Sequence, residues 1–341
     1  MNIALFAYSR RGCRTARAVM QLFMQHDIKA YTMERFAENG FDNIPRPSRT
    51  FYGELFSRAD AMLFIGSCGI AVREIAPHVR DKQTDPAVIC IDELGRFVIP
   101  LLSGHIGGAN EMALKIATGL NAIPVITTAT DINNRFSVDA WAAANGFVID
   151  DIRGVKAVSS AILERDIPLC CDFAITTILP NGIVPGDSGD VGICISYNKK
   201  QPQPFKQTLR LIPKILHIGI GCRRGISDSA IRDAVNAALA RNGLDIKAVK
   251  CIASIDLKSD EEGLLKYCKD IGIEPVFYSS KELTDVSGEF TPSAFVQSVT
   301  GVDNVCERAA LIGADKLIVK KTALNGVTVA VAAEKTEVCF G

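Results

Sequence analysis

The sequence predicts an α/β protein: parallel-sheet N-terminal and C-terminal domains joined by a small α+β middle module. Three observations lead there. Over residues 1–136, short apolar runs alternate with segments of helical spacing. The same rhythm restarts over 215–341. Between them, 137–197 is irregular and rich in turns, and 198–214 reads as a linker. Strand, loop, helix, strand in this order predicts a parallel sheet covered by helices. A chain of 341 residues has room for two or three such domains.

In the first domain, the run 2–8 (NIALFAY) predicts a strand, and Ala16, Val19, Met20 and Phe23 give 13–24 a helical stripe. Residues 61–66 (AMLFIG) predict the next strand and 69–76 a short helix. Residues 87–91 (AVICI) and 96–102 (RFVIPLL) read as two strands joined by a turn at Glu93–Gly95. A helix over 109–119 and a buried strand over 122–127 complete it. In the middle module, DAWAAANG and 152–164 are helical, and 169–197 breaks into short apolar pieces at Pro-Gly-Asp-Ser-Gly turns. The segment 198–214 holds three prolines, four lysines, one arginine and no acid, the composition of a linker. The last domain predicts strands at 215–220, 248–254, 275–278, 316–320 and 326–332, with helices at 227–241, 260–271, 292–299 and 303–312.

Composition excludes several function classes. The 38 basic and 38 acidic side chains cancel, which argues against a nucleic-acid partner while leaving room for a local basic pocket. Hydrophobic residues at 48% and charged residues at 22% belong to a globular chain, not a disordered one. No apolar run approaches the roughly 18 residues of a membrane span, and the apolar start is short and followed, not preceded, by its arginines. The eleven cysteines form no C-x-x-C pair, and the four histidines have no ligand spacing to a cysteine pair. These features predict reduced thiols in a cytoplasmic protein, no metal site of its own and no membrane partner.

Four loops that follow predicted strands carry chemistry, since ligands of open α/β sheets bind beyond the carboxyl ends of strands. SRRGCRTAR places Arg10, Arg11, Arg14 and Arg17 at a helix start with no acid before Asp27, a candidate clamp for carboxylate or phosphate. GSCGIAVR offers Gly66, Gly69 and, on the first helical turn, Arg73 for an anion. LSGHIGGANEMA is the densest signal. Its glycines, Gly104, Gly107 and Gly108, let a ligand approach Ser103, His105, Asn110 and Glu111, and a histidine there is placed for proton transfer. Ser103 and His105 do not form a hydrolase triad, because no G-x-S-x-G elbow surrounds the serine. GIGCRRG departs from the dinucleotide fingerprint by one residue, so Arg223 and Arg224 read better as carboxylate ligands, with Cys222 as small filler. Of two further clusters, SIDLKSDEEG adds Lys258, which acids favouring a helix N-terminus do not explain, and TGVDNVCERAA opens a helix on Asp303 as cap, with Glu307 on an alanine-rich face that is either turned inward or exposed.

GSCGIAVREIAP, LSGHIGGANEMA, GIGCRRG, SIDLKSDEEGLL and TGVDNVCERAAL, in this order, resemble the cobalt-precorrin-5A hydrolase family of anaerobic cobalamin biosynthesis. The resemblance spans nearly the whole chain and is least marked in the middle. It implies opening of a δ-lactone on a metallated tetrapyrrole and release of a two-carbon unit as acetaldehyde, giving cobalt-precorrin-5B. No protein cofactor is implied, because cobalt enters with the substrate and the macrocycle accepts the released electron pair.

On that resemblance, the catalytic candidates are His105 as general base, Glu111 to orient it or shuttle a proton, and Ser103. Arg73, with backbone N–H groups near Gly66–Gly69 or Gly107–Gly108, is expected at an oxyanion or carboxylate. Asn110, Arg223, Arg224, Lys258 and Glu307 complete the substrate-binding set, the C-terminal cations reaching the rim carboxylates across a cleft between domains. The expected partners are the substrate, neighbouring enzymes of the pathway and a second copy in a homodimer. The competing reading is a non-catalytic tetrapyrrole carrier or scaffold.

Overall fold

The computed structural model describes residues 1–37, 39–81, 84–105, 107–199 and 204–340. The chain divides into two compact units, Met1–Ala143 and the part from Ala144 onward. Among the described residues, no helix is long and apolar enough to cross a membrane.

The first unit runs β1 (Asn2–Ala7), α1 (Arg10–Leu22), β2 (Asp27–Thr32), β3 (Asp42–Asn43), α2 (Ser48–Arg58), β4 (Ala61–Ile65), α3 (Cys68–Ile75), β5 (Ala87–Ile91), β6 (Phe97–Leu102), α4 (Ala109–Leu120), β7 (Ile123–Pro124), α5 (Ala129–Ile132) and α6 (Val138–Ala144). Its seven strands lie in the order β3-β2-β1-β4-β5-β6-β7. β1, β4 and β5 are covered on both faces, which is why they read as continuous apolar runs. Ile3, Leu5 and Ala7 pack with Cys13, Ala16 and Val19 of α1 and with Ala113 and Ile116 of α4 on one face. Ala4 and Phe6 pack with Tyr52 and Phe56 of α2 and with Phe64 on the other.

All pairings in this sheet are parallel except one. β6 runs antiparallel to β5, with Ile91 opposite Val98 and Val88 opposite Leu102. Asp92 makes the reversal, accepting from the backbone N–H groups of Arg96 and Phe97 at 2.6 and 2.7 Å. β2 and α2 were not apparent in the sequence, because β2 is buried only over its last three residues and α2 buries only Tyr52 and Phe56. The buried strand expected over 122–127 is reduced to β7, where Ile123 is 59% exposed at the sheet edge.

The second unit continues with β8 (Val148–Ile149), α7 (Ile152–Ala161), β9 (Ile167–Cys171), β10 (Ala174–Ile175), β11 (Ile183–Pro185), β12 (Gly189–Ile195), β13 (Phe205–Ile212), β14 (Leu216–Cys222), α8 (Asp228–Asn242), β15 (Val249–Ile255), α9 (Glu262–Ile271), β16 (Pro275–Tyr278), α10 (Ser280–Asp285), α11 (Ala294–Thr300), α12 (Val305–Leu311), β17 (Lys316–Leu324), β18 (Val327–Ala333) and β19 (Glu337–Val338). One five-stranded sheet has the order β11-β9-β12-β13-β8 and another β16-β15-β14-β18-β17, while β10 pairs with β19. In the second of these, β14, β15 and β16 are parallel and β17 and β18 antiparallel.

The expected linker is corrected here. Residues 205–212 form β13, pairing in parallel with β12 and antiparallel with β8. Leu209, Leu211 and Ile212 are buried, and the lysine and prolines flank them. Arg210 bonds Asp150 at 3.2 Å and Asp245 at 3.3 Å, tying β13 to the turn after β8 and to the segment that precedes β15.

Candidate functional site

The direction of β6 places the glycine-rich loop that follows it. Because β6 is antiparallel to β5, Ser103 and His105 emerge where β5 begins, and the Ser103 hydroxyl donates to the Asp85 carbonyl at 2.9 Å. The loops after β1 and β4 lie at the opposite edge, across the five residues of β5, about 16 Å of strand. Gly66, Gly69 and Arg73 therefore do not join His105 in one site, contrary to the expectation from sequence. Arg73 is exposed in the last turn of α3, not the first, away from the helix N-terminus. The Gly66 N–H is spent on the Ile91 carbonyl at 2.8 Å, which removes it as an oxyanion donor, and a side chain at Gly69 would meet nothing closer than 4.0 Å, so no close approach requires glycine there.

What surrounds His105 comes from further along the chain. Its Nε2 lies 3.0 Å from Asp131 Oδ2 and 3.1 Å from the Thr130 hydroxyl, and its Nδ1 lies 3.4 Å from Asp139 Oδ1. Asn110 Nδ2 donates to the same Asp131 oxygen at 2.9 Å and to the Thr128 hydroxyl at 2.6 Å. Asp139 is nearly buried and also accepts from the Ser137 hydroxyl and the Ala140 N–H. The hydrogen bond to Asp139 raises the His105 pKa above its ordinary value; burial opposes this, and Asp131 adds to it. Burial works against the Asp139 carboxylate, yet the His105 hydrogen bond and charge and the Ser137 hydroxyl hold its pKa below the usual range. The group is an imidazole between two carboxylates, one buried and one 39% exposed.

The loop is built for this placement. Ser103 has φ +57°, and a Cβ at Gly107 would overlap Ser103 while one at Gly104 would sit 2.8 Å from Asn110 Oδ1. Gly108 starts α4 at φ +75°, and its N–H is committed to the His105 carbonyl at 2.9 Å, so it is not an oxyanion donor. Glu111 is exposed on the first turn of α4 and does not orient His105; Asp139 and Asp131 do. Sequence reading missed both aspartates, although they are the only acids between Glu111 and Asp150. Ser103 is engaged with Asp85, as described, and has no bond to His105 among the described residues. Ile106 lies outside the described residues.

In the second unit, two motifs separate in sequence do meet. Glu261 Oε1 accepts from the N–H groups of Gly225 and Ile226 at 2.8 and 3.2 Å, and its Oε2 pairs with Lys258 at 3.2 Å. Both charged side chains are nearly buried, 4% and 12% exposed, so the pair stitches the GCRRG loop to the loop after β15. Lys258 is thus not a free cation. Arg224 is exposed, but its guanidinium is taken by Asp260 at 2.9 Å and the Leu257 carbonyl at 3.1 Å. Arg223 is exposed beside them, and among the described residues only its backbone N–H is committed, to the Gly326 carbonyl.

Burial pushes the Cys222 thiol up to about 11, Lys258 opposing, which leaves it protonated and unreactive at neutral pH. Glu307 is fully buried. It accepts from Thr291 N and Oγ1, Asn304 Nδ2 and Lys321 N at 2.6–2.9 Å, a staple for three segments and no substrate ligand.

Comparison with known proteins places both units. Residues 50–131 match the family described as cobalamin synthesis G N-terminal, and 216–332 the family described as cobalamin synthesis G C-terminus. The two α/β units thus define a protein of the cobalamin-synthesis G class. A cobalt-precorrin-5A hydrolase of Priestia megaterium is 34% identical over 356 residues, covering 97% of this chain and 94% of its own. That of Salmonella typhimurium is 32% identical and covers 96% of each chain. Protein CobE of a Sinorhizobium species is 30% identical over 125 residues, 36% of this chain and 81% of its own. The chain belongs to the cobalt-precorrin-5A hydrolase family, whose role lies in cobalamin biosynthesis.

Proposed function

We propose that this protein opens the δ-lactone of cobalt-precorrin-5A and releases acetaldehyde, leaving cobalt-precorrin-5B. The observation that carries the reading is the Asp131–His105–Asp139 arrangement in a glycine-rich loop, within a chain that aligns end to end with two proteins of that name. The two carboxylates raise the His105 pKa and so favour its protonated form. In the proposed reaction His105 gives a proton first, where the sequence alone suggested that it takes one.

In this mechanism the exposed carboxylate of Asp131 accepts a proton from the attacking water as the water oxygen bonds to the lactone carbonyl carbon. His105 gives its proton to the ring oxygen as the C–O bond breaks, yielding a carboxylic acid and a carbinol. The now neutral imidazole then takes the carbinol proton. The C–C bond to the macrocycle breaks, its electron pair passes to the macrocycle, and the two-carbon unit leaves as acetaldehyde. Asp139 holds the ring in register and stabilises its charged form.

The test is an anaerobic acetaldehyde assay with enzymatically prepared cobalt-precorrin-5A, comparing wild type with His105→Asn. Stoichiometric acetaldehyde from wild type, lost in the variant, is the expected result. Equal release from both removes His105 from the mechanism. Binding of the corrinoid with no acetaldehyde from wild type makes the protein a carrier.

A further inference from the structure

We propose that an arginine-lined cavity beside α1 binds the carboxylate rim of a tetrapyrrole, at a place separate from the His105 cluster. The cavity has a volume of about 440 Å³ and is lined by Arg10, Arg14, Arg17, Arg35, Phe36 and Ala37. Arg10, Arg14 and Arg17 stand at i, i+4 and i+7 on α1 and so share one face. Arg35 reaches it from the turn after β2, its guanidinium carbon 4.7 Å from the centroid of the Phe36 ring. Arg17 is steadied by the Asn39 carbonyl at 3.2 Å and by the Phe41 ring.

Arg10, Arg14 and Arg35 make no ion pair or side-chain hydrogen bond among the described residues. α1 has no acid in its first turn, and cations near a helix N-terminus gain nothing from the helix dipole. These three like charges around one concavity repel one another, and a bound polyanion relieves that repulsion through charge-assisted, forked hydrogen bonds. The place also suits a ligand: it borders the carboxyl ends of β1 and β2, next to the point between β1 and β4 where strand order reverses.

The spacing selects the ligand. From Arg10 to Arg17 the helix rises about 10 Å, so the guanidiniums form a row and not a single phosphate cradle. A row of anions on a rigid edge fits it, as in the acetates and propionates of a tetrapyrrole; this choice of molecule rests on the function proposed above. The cavity admits only such a rim, with the macrocycle outside. Because the His105 loop lies at the other edge of the sheet, the cavity would hold a tetrapyrrole away from the reacting groups, as a site of loading or retention.

The experiment titrates the full-length protein with uroporphyrin III, an octacarboxylate tetrapyrrole, by isothermal calorimetry, with inorganic pyrophosphate as competitor. Removing one forked contact costs about tenfold in affinity, so Arg14→Gln/Arg35→Gln weakens binding about a hundredfold. Arg11, grouped with this clamp by sequence, does not line the cavity; Arg11→Gln removes the same charge from α1 and leaves binding as in wild type. Thermal unfolding of each variant checks the fold, and the double variant melts no lower than wild type, since it relieves repulsion.

Wild type that fails to bind uroporphyrin III overturns the proposal. So does a double variant that binds as tightly as wild type, or an Arg11→Gln loss equal to its own. Displacement by pyrophosphate at concentrations below those of the porphyrin makes this a phosphate site instead. None of these readouts depends on acetaldehyde release, so the cavity and the proposed reaction stand or fall separately.

Discussion

Leu102 stands opposite Val88 across the antiparallel step from β5 to β6, and this pairing sets the geography of the first unit. It carries His105 to the edge where β5 begins and leaves the loops after β1 and β4 at the edge where β5 ends. The histidine cluster and the arginine row are consequently separate features of one sheet. Hydrogen exchange should read them independently: uroporphyrin III protects 10–17 and 34–37 and leaves 103–110 unchanged.

The charge pair at His105 gives stability a defined pH dependence. Its folded pKa is raised above the unfolded value of about 6.5, so the pairing contributes fully below that pH and is lost as pH rises through the folded pKa. Asp139 is lowered from an unfolded value of about 3.9; its contribution is present above that pH and is lost as pH falls through the folded pKa. The His105 contribution to the melting temperature should therefore decline as pH rises above about 6.5, and that decline should be absent in His105→Gln.

Asp139→Asn keeps the shape and removes the charge. With the imidazolium less favoured, kcat should fall on the order of 10²-fold while KM changes little. The pH limit of kcat should move to lower pH, since an acid of lower pKa loses its proton earlier. A loss of stability without that displacement would make Asp139 purely structural.

Glu261 holds two backbone N–H groups and a nearly buried lysine. Glu261→Ala should destabilise the second unit by about 3–5 kcal/mol, the cost of leaving Lys258 buried and unpaired. Lys258→Met in the same chain should recover part of that, leaving the unbonded N–H groups of Gly225 and Ile226. Urea unfolding of the single and double variants measures the difference.

Glu307→Gln places an amide N–H₂ among four donors. At least one is left unsatisfied, a loss of roughly 1–3 kcal/mol. Affinity for substrate should not change in molecules that remain folded.

Cys222→Ala should keep its activity, because burial holds the thiol neutral, with its pKa up at about 11. Wild-type Cys222 should react slowly with iodoacetamide at pH 7. Rapid labelling coupled to loss of acetaldehyde release would make it a nucleophile.

Much of the fold was legible because burial on both faces writes itself into composition. NIALFA, AMLFI and AVICI are strands with almost no polar residue, and each was placed within a residue or two. β13 was missed for the opposite reason. Its lysine and flanking prolines resemble a linker, while its buried side chains, Phe205, Leu209, Leu211 and Ile212, are only half its length. The glycine-rich loop was found because glycines there are required by close approach: a side chain at Gly107 has no room beside Ser103. Asp131 and Asp139 carry no such local mark.

By itself, the sequence determined which segments are strands, which loops are glycine-rich and which family the motifs resemble, since each of these rests on residues that are neighbours in the chain. Even the turn that reverses the sheet was visible at Glu93–Gly95. What only the tertiary structure decided was which loops share an edge and which charges remain free. β6 turns His105 away from Arg73; Glu261 consumes Lys258; Glu307 faces inward onto backbone donors. These outcomes depend on strand direction and on partners distant in sequence, which no local stretch of the chain specifies.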